Sequence, residues 1–124
     1  MSTTVADLRA IVGPLIAGAV YRDVAPDEAA LTFVVLLDDI EDGPLLHGDG
    51  RALAWSRLVQ VDVWQAAEDE DDSLVPSIVE ALDGAALARA EGRLRCRVES
   101  SIRAPEPDLG LVHQAITVRA FYLR

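Results

Sequence analysis

Three separated segments of this chain set apolar residues at every second position: Val59, Val61, Val63; then Leu94, Cys96, Val98; then Ile116, Val118, Ala120. Period-two alternation sends neighbouring side chains to opposite sides of an extended backbone, so each segment is predicted to be a strand with one buried face. The expected strands cover residues 57–65, 93–103 and 113–123; in the second, Ile102 is expected to continue the apolar face of Leu94, Cys96 and Val98, while Arg93, Arg95, Arg97, Glu99 and Arg103 face the other way. A further stretch, 31–37, is apolar at nearly every position, with Phe33, Val34 and Val35 favouring extended structure. It reads as a central strand covered on both sides.

Helical spacing appears twice. Val5, Leu8, Ile11, Val12 and Leu15 recur at helical intervals from Thr4 to about Ile16, and Thr4 with Asp7 imitates a capping box. Gly13 and Pro14 weaken the last turn of that helix. The acidic run Glu68, Asp69, Glu70, Asp71, Asp72 opens a second helix whose buried stripe would be Leu74, Ile78 and Leu82, with Gly84 as its cap. Residues 22–30 read as an irregular connection, 41–55 as a long loop or hairpin arm, and 104–110 as a turn. The expected architecture is α+β: a four-stranded, mainly antiparallel sheet in the order α-β-β-α-β-β, with two helices packed on one face. At 124 residues one domain, 1–124, is expected.

Composition narrows the function classes. Hydrophobic residues make up 51% and charged residues 26%, enough apolar surface for a core. A net charge of −10 repels a phosphate backbone, so no sequence-specific nucleic-acid binding is expected. All 11 basic residues are arginine, which points to a GC-rich coding genome. Met1 to Asp7 has no basic segment leading into an apolar run, and no stretch approaches bilayer length; a soluble chain without export signal or membrane partner is the expectation.

No constellation for catalysis, metal or cofactor stands out. Asp69, Asp71, Ser73 and Glu80 imitate positions of a calcium loop, but Leu74 occupies the place where the turn needs glycine. Gly48-Asp49-Gly50 is better explained by turn chemistry than as half of a dinucleotide fingerprint. His47 and His113 lack metal-binding spacing, and Cys96 falls in an apolar row, where a buried inert thiol is expected.

The segments Val20-Tyr21-Arg22-Asp23-Val24-Ala25-Pro26, Leu31-Thr32-Phe33-Val34-Val35, Arg57-Leu58-Val59-Gln60-Val61-Asp62-Val63-Trp64, Val79-Glu80-Ala81-Leu82-Asp83-Gly84 and Ile116-Thr117-Val118-Arg119-Ala120-Phe121-Tyr122 together resemble the tail-completion, or tail-terminator, proteins of long-tailed bacteriophages. A gene-transfer agent or other phage-derived particle would encode a chain of the same appearance. The resemblance implies an α+β fold and a homohexameric ring that stops tube polymerisation. It also implies partners in the major tail tube protein and the head connector or neck protein. The expected location is the tail-neck of a virion, with host cytoplasm during assembly. Another neck or head-completion protein is the nearest alternative, and a small oligomeric enzyme with an inter-subunit site is the alternative from a different class.

The residues suggest a surface for that role. If helices cover the face bearing Val59, Leu94 and Ile116, the other face displays Trp64, Arg95, Arg97, Arg119 and Phe121. Aromatics mixed with arginines are enriched at subunit interfaces, although the same residues could stack on one another within one chain. The loop holding Pro44, His47, Asp49 and Arg51 is the candidate contact with the tube or a neighbour.

Overall fold

A computed structural model describes residues 4–17, 19–46, 52–89 and 92–123. In chain order the elements are α1 (Thr4–Val12), β1 (Val20–Arg22), β2 (Phe33–Leu46), β3 (Ala52–Ala66), α2 (Leu74–Leu82), β4 (Ala86–Arg89), β5 (Gly92–Glu106) and β6 (Leu111–Leu123), with short 3-10 turns after α1, β3 and β5. The strands form one six-stranded sheet in the order β1-β2-β3-β6-β5-β4, curled into a half-barrel. β1 and β2 are parallel and every other pair is antiparallel.

The expected four-stranded sheet is therefore corrected to a mixed sheet of six. The two additional strands, β1 and β4, have three and four residues, too short for any period to show. Both are held by longer neighbours: β1 along Val34 to Leu36 of β2, β4 along Gly92 to Arg95 of β5. Pairing supplies what propensity does not, since Ala86-Leu87-Ala88-Arg89 has no intrinsic preference for extended structure.

Of the two readings of 41–55, a long loop or a hairpin arm, the described residues follow the second. Most of that stretch belongs to β2 and β3, which run as a long hairpin, with irregularities at Asp38/Ile40, Glu41/Gly43 and Leu45/Leu46. Gly43 and Pro44 resemble loop residues but lie where β2 has no described strand on its outer side, and an edge strand tolerates both.

One hydrophobic layer joins helices to sheet. Val5, Leu8 and Val12 of α1 and Ile78 and Leu82 of α2 pack with Val34, Leu36, Val59, Val61, Val63, Leu94, Cys96, Ile116, Val118 and Ala120. Strand register explains the coherence of this layer: Leu36, Val61 and Ile116 lie in one row, and Val59, Val118 and Val98 in the next. Burial pushes the Cys96 thiol up to about 11, so it stays protonated and inert at neutral pH.

The start of α1 is fixed by a polar group inside this layer. Thr4 and Asp7 are 2% and 1% exposed, which makes them core residues as well as helix-start residues. Tyr122 reaches them from β6: its hydroxyl bonds to Thr4 Oγ1 and donates to Asp7 Oδ2 at 3.4 Å. The α1 terminus is thereby tied to the far end of the last strand. Tyr122→Phe removes both contacts while leaving the buried oxygens in place, and it is expected to cost about 1–3 kcal/mol in urea unfolding; an unchanged midpoint would show that the hydroxyl carries no stabilisation.

Candidate interaction face

On the sheet face away from the helices, the side chains fall into two groups. β5 and β6 bring together Arg95 with Phe121 and Arg97 with Arg119, each a directly opposed pair. The Arg97 guanidinium lies 5.9 Å from the Phe121 ring centre, within cation–π range. Glu99 accepts from the Arg119 Nε, and from Arg97 Nη2 at 3.3 Å. Arg119 is thus largely engaged within its own chain, with a side chain 21% exposed, whereas the Arg97 side chain is 64% exposed.

Trp64 belongs to the other group. It pairs with His113 and Phe33, eight residues along β3 from the position opposite Phe121, a separation of roughly 25 Å. The Trp64 and His113 rings stack with centres 4.2 Å apart and planes at 2°. His113 Nε2 approaches Asp62 Oδ1 at 3.0 Å, off the hydrogen-bonding direction, while Gln60 Nε2 donates to the same oxygen at 2.7 Å. The expected interface residues therefore share a face but form two clusters, one rich in guanidinium and one built on a stacked indole.

A bulge in β5 rearranges this face. Val98 pairs with Val118 and Ser100 with Thr117, so Glu99 is an extra residue that reverses the alternation beyond it. Ile102, expected among the core residues, is instead opposite Ala115 on the outer face and 62% exposed. Arg103, expected on the outer face, turns to the helix side, where Nε and Nη2 donate to Glu70 at 3.1 and 2.8 Å. Consecutive polar residues Glu99-Ser100-Ser101, which interrupt the apolar alternation, are the sequence signal of this change.

The acidic run before α2 is anchored. Asp71 accepts from the backbone N–H and hydroxyl of Ser73 at 2.9 and 2.6 Å, and its own N–H donates to Gln65 at 2.8 Å. These bonds hold the Asp71 carboxyl below the usual carboxylate range, and the Arg103 hydrogen bonds do the same for Glu70. Among the described residues, no group of three or more His, Cys, Asp or Glu could hold a metal ion, and no helix is long and apolar enough to cross a membrane. Pro44 lies in β2; His47, Asp49 and Arg51 lie outside the described residues.

The geometry is that of a helix-backed mixed sheet with one decorated face. Residues 3–123 match the family model described as Tail completion protein gp17, and the chain belongs to that family. Membership makes it a structural protein of virion tails. A comparison with curated proteins finds no match. Among solved structures the chain is similar in fold to a chain of the virion of a native gene transfer agent particle, with 23% identity, a TM-score of 0.66, and coverage of 99% of this chain and 100% of that one.

The Glu70–Arg103 pair gives a pH signature. Because the folded state lowers the Glu70 pKa, its stabilisation is present above the unfolded carboxylate value and disappears as pH falls through the lower folded one. Arg103→Ala is therefore expected to lower the thermal midpoint slightly at pH 7, with the difference from the parent shrinking below about pH 4. A difference constant from pH 7 to pH 3 would mean that the arginine acts through packing alone.

Proposed function

We propose that copies of this chain form a closed ring, six in number, that ends the tail tube and joins it to the head. The observation that carries the proposal is the sheet face away from the helices, where Arg95 and Arg97 are exposed beside Phe121 while Glu99 takes the Arg119 guanidinium. Large aromatics and guanidinium groups supply contact area and directed hydrogen bonds together, as the centres of interfaces require. Family membership and the likeness to a gene transfer agent virion chain support a place in the tail-neck.

In this reading the work of the protein is binding without a reaction. One ring surface meets the last ring of the major tail tube protein and the other meets the head connector or neck protein. The stretch bearing Pro44, His47, Asp49 and Arg51 is the proposed contact with the tube or the adjacent copy. Assembly would proceed in the host cytoplasm and finish in the virion.

Electron microscopy of particles made without this chain tests termination directly. Overlong tails are expected; tails of normal length already joined to heads would contradict the proposal, and tails of normal length lacking heads would favour a neck role. Removing residues 44–51 is expected to reproduce the loss of length control while the isolated protein keeps its circular dichroism spectrum.

A further inference from the structure

Two exposed charge groups of opposite sign lie at opposite ends of the long strands. Arg93, Arg95 and Arg97 of β5 are exposed on the face away from the helices, where Arg95 lies opposite Phe121, itself opposite Ser56 of β3. At the other end, Ala66 and Glu106 both pair with Leu111, and the Ala67 N–H donates to the Gly110 carbonyl at 2.9 Å. The acidic run after β3 therefore sits beside the turn from β5 to β6, and Glu68, Asp69, Asp72, Glu106 and Asp108 are exposed there. Arg103 at this end is already held by Glu70. From Ser56 to Ala66 the strands run about 34 Å, several screening lengths at physiological salt, so the two groups do not neutralise each other within one chain.

The arginine row is open to a partner. Among the described residues, Arg93 and Arg95 have no carboxylate, and Arg97 shares Glu99 with Arg119. Alternate positions of a strand project these side chains to one face about 7 Å apart. Phe121 gives the row an apolar bed, with the Arg97 guanidinium 5.9 Å from its ring centre. Each planar guanidinium can donate two parallel hydrogen bonds to one carboxylate, so the row fits an acidic protein surface. A second copy brings such a surface in the ratio of one acidic end to one row.

Resting on the ring reading above, we propose that the Arg93–Arg95–Arg97 row of one copy receives the acidic end of the next copy, the group formed by Glu68, Asp69, Glu106 and Asp108. Contact between unlike surfaces is directional: each copy added uses one row and offers another, until the circle closes. The pairing also offsets the repulsion between chains of net charge −10.

Charge exchange tests this. Arg93→Glu with Arg95→Glu, Glu68→Arg with Glu106→Arg, and the four substitutions combined are each placed in cells whose own copy is deleted, and copies of the chain per purified particle are counted by mass spectrometry. Like charges facing each other are expected to lower retention of each double variant about tenfold or more, and the combined variant to return to within about threefold of the parent. Co-expression of the two double variants is expected to recover retention as well, since their charges complement in alternation. Circular dichroism and thermal midpoints establish that every variant folds, and glutamine replaces the reversed charge wherever one does not. Retention of either folded double variant at the parental level, or a combined variant as poor as its components, overturns the contact. Loss confined to the arginine reversal overturns it in favour of an acidic surface on a different virion protein. Absence of the parent chain itself from particles overturns the ring reading and the contact with it, so the two failures are distinguishable.

Discussion

Two nine-residue helices cover a sheet whose longest strands have 15 residues, and this mismatch governs the molecule. All helix packing falls on one face, where Leu8, Ile78 and Leu82 meet the rows of valine, leucine and isoleucine contributed by β2, β3, β5 and β6. Among the described residues, the opposite face has no layer of its own. Its side chains cover one another instead: Trp64 lies flat on His113, Arg97 lies over Phe121, and Glu99 takes the Arg119 guanidinium. Curling of the sheet suits this arrangement, and Val35, Ser56 and Asp62 are buried there without any helix above them.

Glu99 has an effect beyond its own position. A single additional residue in β5 moves every later side chain to the other face, so the same strand gives arginines to the outer face before the bulge and an exposed isoleucine after it. Val98, at the edge of the bulge, donates its N–H to Asp83 Oδ1 at 2.9 Å, which ties the irregularity to the end of α2. Arg103, delivered to the helix side, holds the Glu70 carboxylate and with it the segment entering α2. The bulge thereby connects the outer face, the helix layer and the acidic connection.

Strands β3, β5 and β6 were legible because half-buried antiparallel strands advertise themselves by alternation. Their register was legible in principle as well: once Val61 is set opposite Ile116, Trp64 falls opposite His113, and the stacked pair follows. β1 and β4 were not, because three or four residues carry no period and their extended form is imposed by the neighbour. Residues 38–46 were obscured by acids, glycine and proline, which local reading assigns to loops but which an edge strand accommodates. Among the interface candidates, Arg95, Arg97, Arg119 and Phe121 come together on the expected face, whereas Trp64 lies in a separate cluster. Unbroken alternation puts Ile102 and Arg103 on the wrong sides, because only the Glu99-Ser100-Ser101 interruption marks the bulge between them and Val98.

The central claim is that the helix-free face becomes covered when the protein takes its place in a particle. Hydroxyl-radical footprinting, comparing the isolated chain with the same chain in finished particles, measures that coverage without altering any residue. Oxidation of Phe121 several-fold lower in the particle, with the exposed Val24, which lies outside the strands, reacting equally in both states, is the predicted result. Equal oxidation of Phe121 in the two states would contradict it.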